Sequence, residues 1–114
     1  MKTAIIGSRS IIIDISQFVP SETTMIISGG ANVIDTMAEK YADDNFIPKL
    51  IIKPEYDKYG ISAPLIRNKI IVDKAYFVIA IWDGKSKGTK NVIDYANKIG
   101  KTVLFIGVSP KRTL

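Results

Sequence analysis

An α/β fold, with a mostly parallel sheet of about five strands and helices on both faces, is what this 114-residue sequence predicts, on three observations. Short apolar runs recur along the chain, each run is apolar at every position rather than at alternate ones, and helical patterns lie between them. A strand that is apolar throughout has both faces covered, which marks a parallel sheet sandwiched between helices. The alternation of strand and helix then selects a doubly wound, Rossmann-like topology with right-handed crossovers, spanning residues 1–114 as one domain.

The strands are read at residues 3–6, 24–27, 50–52, 76–81 and 102–106. Between the second and third, Ile34, Met37, Ala38, Tyr41 and Ala42 recur at i, i+3, i+4, i+7 and i+8, the stripe of an amphipathic helix. Ser62 stands as an N-cap before Ala63, Pro64 fits the first turn, and Leu65, Asn68, Ile71 and Val72 carry that helix toward Ala75. Residues 88–99 place Val92, Ile93, Ala96 and Ile99 on one side and stop at Gly100, a glycine suited to the position just past a helix end. Residues 11–17 read either as strand or as a short buried helix, and the crossover required between two parallel strands favours helix. The tail, residues 109–114, is expected to fray or to make a local partner contact.

Composition removes whole classes of chemistry. There is no cysteine and no histidine, so thiol nucleophiles, imidazole bases, zinc sites and disulfides are excluded. No metal and no cofactor is expected, and any catalysis must use carboxylates, hydroxyls, amines, guanidinium groups or backbone dipoles. The absence of cysteine fits a reducing compartment, and a cytoplasmic location is expected. The amino-terminal apolar run is too short for a secretory signal, and no apolar stretch reaches membrane-spanning length. Sixteen Lys and Arg against eleven Asp and Glu leave a formal charge of +5, which favours anionic partners, although the lysines are spread along the chain.

In open α/β sheets the ligand lies at the carboxyl ends of the strands, so the residues following each run are the informative ones. They are Gly7-Ser8-Arg9, then Ser28-Gly29-Gly30-Ala31, then Lys53-Pro54-Glu55-Tyr56, then the loop from Trp82 to Thr89. Paired glycines at Gly29-Gly30 permit close backbone approach, and the following helix start offers N–H groups to a phosphate or ribose. Neither a GxGxxG fingerprint nor a Walker A loop is present. The loop Asp83-Gly84-Lys85-Ser86-Lys87-Gly88-Thr89 combines glycines, lysines and hydroxyls just ahead of a helix and is the best anion-site candidate. Arg67, with Asn68 beside it, can fork onto a phosphate or carboxylate, or form a surface ion pair. Asp35 and Asp83 can bond a ribose diol, act as general acid or base, or cap and pair locally. Trp82 and Tyr56 can stack on a base or fill the core.

Taken together, Gly7-Ser8-Arg9, Ser28-Gly29-Gly30-Ala31 with Ile34-Asp35, Arg67-Asn68 before Ile70-Ile71-Val72, and Asp83-Gly84 with Ser86 and Gly88-Thr89 resemble the SLOG superfamily. That group unites the DNA-processing protein DprA (Smf) with the Lonely Guy (LOG) nucleotide phosphoribohydrolases, and the chain is most similar to its small YspA-like branch. The resemblance runs from Ile5 to Val103. It implies a Rossmann-like fold that binds a nucleotide or nucleotide-derived ligand above the strand ends, with phosphate held by the Gly-Thr loop, and by analogy a homodimer or higher homo-oligomer. Two positions depart from the pattern. Aligning Gly88-Thr89 puts Val92 where the Lonely Guy motif carries its catalytic glutamate, and Val33 stands where DprA-like loops carry a third glycine.

Three functions follow as expectations. The first is binding or sensing of a phosphorylated nucleoside by Ser8, Arg9, Gly29, Gly30, Arg67, Ser86, Gly88 and Thr89. The second is hydrolysis of an N-glycosidic or phosphoester bond of the same ligand, with Asp83 or Asp35 in place of the missing glutamate and Asp83 preferred. The third is DprA-like binding of single-stranded nucleic acid, consistent with the charge but without clustered arginines or interleaved aromatics.

Overall fold

A computed structural model of the chain, which describes residues 1–108, contains a five-stranded, all-parallel sheet in the order β3-β2-β1-β4-β5. The strands are β1 (Lys2–Gly7), β2 (Met25–Ser28), β3 (Lys49–Ile51), β4 (Phe77–Trp82) and β5 (Thr102–Gly107). Helices α1 (Val33–Asp44), α3 (Ala63–Lys74) and α4 (Lys87–Lys98) join successive strands, and α2 (Tyr56–Tyr59) is a single turn ahead of α3. The reading made of residues 109–114 lies outside the described residues.

The register sets Ala4 against Val78 and Ile5 against Ile79, so alternate residues of the central strands face opposite sides. Ile5, Ile26, Ile79 and Ile81 pack beneath Ile34, Ala38 and Ala42 of α1. Ala4, Ile6, Ile27 and Val78 pack beneath Ile71 and Val72 of α3 and Val92 and Ala96 of α4. Most of these side chains are inaccessible to solvent, and burying one isoleucine contributes about 1.5–3 kcal/mol. Two buried faces are why the runs of β1, β2 and β4 are unbroken; the edge strand β5 departs from the expectation, with Leu104 36% and Phe105 50% exposed. Among the described residues no helix is long and apolar enough to cross a membrane.

The first crossover corrects the sequence reading. Residues 11–17 form no α-helix; the connection from β1 to β2 carries only a 3₁₀ turn, Ser16–Phe18. Three consecutive β-branched residues weaken a helix there. The Asp14 carboxylate accepts hydrogen bonds from the Ser16 N–H (3.0 Å) and Oγ (2.6 Å), a local bond that competes with helical ones. Ile11 and Ile15 still reach the core beside α1, while Ile12 is 84% exposed. Helix α4 begins at Lys87, one residue before the start read from the sequence. Its N-cap is Ser86, whose Oγ accepts from the Thr89 N–H at 3.3 Å, so Thr89 lies inside the first turn.

This topology positions a site. The chain runs outward from β1 through β2 to β3, then crosses to the other face and returns as β4 beside β1. At that reversal the connections leave the sheet on opposite sides and open a crevice at the strand ends.

Candidate functional site

A cavity of about 340 Å³ occupies the crevice. Of the candidate residues, Gly7, Arg9, Gly29, Ala31, Asp35, Arg67, Asn68, Ser86, Gly88 and Thr89 line it. Ile6, Asn32, Tyr56, Pro64 and Ile71 complete the wall. The remaining candidates, Ser8, Ser28, Gly30, Trp82, Asp83 and Gly84, are not among its lining residues.

Each of these six has a definite place. Ser8 is buried, and its Oγ donates to Asp83 Oδ1 (3.3 Å) or Thr89 Oγ1 (3.4 Å) and accepts from the Asp83 N–H (3.2 Å), tying the end of β1 to the loop before α4. Ser28 Oγ lies 3.4 Å from Glu39 Oε2. Trp82 donates its indole N–H to the Ser86 carbonyl at 2.9 Å and meets Phe105 edge to face. Gly84 turns the loop at φ +83° in open space. Gly30 has φ +65°, and a Cβ there would sit 2.7 Å from Ile51 Cγ2, so only glycine fits this corner.

Asp83 braces its own loop. Its Oδ1 accepts from the backbone N–H groups of Lys85 (2.8 Å) and Ser86 (2.9 Å). Those bonds, first Ser86 and then Lys85, hold the carboxyl below the ordinary aspartate value, so it is ionised at neutral pH.

Asp35 decides what the glycine turn can do. It is 4% exposed, and its two oxygens accept from the backbone N–H groups of Gly29 (3.3 Å), Ala31 (2.9 Å) and Asn32 (3.2 Å). Asn32 Oδ1 returns a bond from the Asp35 N–H at 3.1 Å, and its Nδ2 donates to the Gly7 carbonyl at 2.9 Å. Three of the donors read from the sequence as a phosphate cradle, at Gly29, Ala31 and Asn32, are therefore occupied by the chain's own carboxylate. Asn32 was not singled out in the sequence; the signal for it is the Asn-x-x-Asp spacing of a capping box ahead of an amphipathic run.

Arg67 enters from α3. Its Nη1 donates to the Gly29 carbonyl at 2.7 Å and its Nε to Asn68 Oδ1 at 2.8 Å. Burial pushes its pKa down, and the nearby Asp35 charge opposes that shift. An arginine remains cationic at neutral pH regardless. A Cβ on Gly29 would come within 2.6 Å of Nη1, so this glycine makes room for the guanidinium. Among the described residues Nη2 makes no hydrogen bond, which leaves donors available to a ligand.

The start of α4 supplies the second set of donors. Ser86 caps the Thr89 N–H, and among the described residues the N–H groups of Lys87 and Gly88 have no acceptor. A Cβ built on Gly88 meets nothing closer than Ser86 Oγ at 4.0 Å, so the backbone here is open. Val92 is fully buried in the core under α3 and α4 and does not line the cavity. Val33, 41% exposed, does not line it either. No family model and no curated protein matches this sequence.

Proposed function

We propose that this protein binds a nucleotide or nucleotide-derived phosphorylated ligand in the cavity at the carboxyl ends of β1 and β2 and the amino-terminal end of α4. One observation carries the reading. The same cavity is lined by a half-buried guanidinium with unused donors and by the uncapped N–H of Gly88, while the one carboxylate on its wall, Asp35, is already bonded to three backbone N–H groups. Such a wall attracts an anion and offers two geometries for holding it, the planar fork of an arginine and the positive end of a helix. Ile6, Pro64, Ile71 and Tyr56 add apolar and aromatic surface suited to a base or sugar. The motif resemblance to the SLOG superfamily points the same way and adds the expectation of a homo-oligomer; the cysteine-free composition adds that of a cytoplasmic location.

The hydrolytic reading draws less support. Asp83 is an ionised carboxylate engaged by its loop, and Asp35 has both oxygens bonded to backbone donors, so neither is a poised general acid. No observation singles out single-stranded nucleic acid.

Native mass spectrometry of the protein as purified tests the proposal, followed by calorimetric titration with the four ribonucleoside 5′-monophosphates. A co-purifying nucleotide mass, or saturable binding of at least one monophosphate, is expected. The absence of both a bound mass and any binding at millimolar concentration would refute it.

A further inference from the structure

The cavity does not end at its own mouth. Arg9, Ala31 and Asn32 line it and also line an adjoining shallow groove, whose other walls are Val33, Thr36 and Met37 of the first turns of α1. From this continuity we infer that the ligand is two-ended, a dinucleotide-type molecule with one nucleotide unit in the cavity, the other over the start of α1, and its linking phosphate at Arg9. The inference rests on the nucleotide reading above and extends it from one unit to two.

The two compartments differ in chemistry. The cavity holds the guanidinium of Arg67 and the free donors of α4, whereas the groove is walled by two apolar side chains and one hydroxyl. The backbone N–H groups beside the groove, at Ala31 and Asn32, are bonded to Asp35. With those two donors taken, the flat, largely apolar face of a base or ribose fits against Val33 and Met37. Arg9 stands at the boundary. It is exposed, and among the described residues it makes no hydrogen bond and no ion pair, so its charge and its five donors are available where a linker passes between the compartments.

Calorimetry on the full chain tests this with two matched probe sets, the ribonucleoside 5′-monophosphates and the corresponding 5′-phosphorylated dinucleotides such as pApA, against wild type and Arg9→Ala. Wild type is expected to bind the dinucleotide of its preferred base at least 10-fold more tightly than the monophosphate. Arg9→Ala should lose at least 5-fold more affinity for the dinucleotide than for the monophosphate, and being exposed it should fold normally. Equal wild-type affinity for the two probes, or equal losses on both in Arg9→Ala, overturns the two-unit inference while leaving the single-unit site standing. Failure of every probe to bind overturns the nucleotide reading, and this inference with it.

Discussion

Gly88→Asp is the sharpest perturbation of the proposed site, because structure and charge push in opposite directions. The added Cβ has no neighbour nearer than 4.0 Å and the backbone φ is not in the left-handed region, so the folded chain accepts it without strain. Gly88 sits in the first turn of α4, where replacing glycine removes about 0.5–1 kcal/mol of backbone cost and an acidic group gains about 0.3–1 kcal/mol from the helix dipole. The melting temperature should therefore hold or rise by a few degrees. Ligand affinity should collapse. Two unit charges about 4 Å apart at an effective dielectric of about 20 interact by about 4 kcal/mol; solvent at the open mouth reduces this to roughly 2–4 kcal/mol, or about 30- to 1000-fold. Titration with the best-binding ribonucleoside monophosphate, beside thermal melts, measures both effects, and Gly88→Ala separates charge from bulk with a loss of less than about 10-fold. Unchanged affinity in a folded Gly88→Asp protein would refute the placement of phosphate at the start of α4.

Arg67→Lys keeps the charge and removes the fork, so ligand binding should weaken by about 1–3 kcal/mol in the same titration, with unchanged affinity removing Arg67 from the site. Asp83→Asn tests the loop brace through pH. The folded pKa lies below the ordinary 3.8, so the carboxylate's contribution is complete above about pH 5 and disappears as the pH falls through the folded value. Melts of wild type and Asp83→Asn should differ at pH 7 and converge as the pH falls through the depressed folded pKa; a gap that persists once the carboxyl is protonated in the folded protein would show that the charge is not what braces the loop. Val92→Glu places a carboxylate in the core rather than the cavity, and it should destabilise the chain by about 4 kcal/mol or more without creating phosphoribohydrolase turnover. A stable Val92→Glu protein that cleaves nucleoside monophosphates would contradict that placement.

The sequence by itself determined the layered architecture. Burial on both faces leaves a local signature, unbroken apolar runs, and the runs around Ile5, Ile26 and Ile79 proved to be the central strands. It also located the crevice, because the residues that follow parallel strands converge wherever the sheet reverses. What tertiary structure alone decided was which groups at those strand ends remain free. Gly29-Gly30 and Asp35 read alike as ligand contacts, yet folding turns the carboxylate back onto the glycine turn's own N–H groups. Asp83, adjacent in sequence to the anion loop, is consumed in holding that loop's shape. Val92 shares the face of α4 that carries Gly88 but lies one turn farther along it, in the core rather than on the cavity wall. The crossover expected as a helix reaches the core without one, through Ile11 and Ile15 with Ile13, Phe18 and Val19 packed against the same cluster. In each case a residue's type is fixed along the chain, but whether its donor, acceptor or apolar surface is already satisfied depends on partners brought from elsewhere in three dimensions, and a hydrogen-bonding group used internally is no longer available to a ligand.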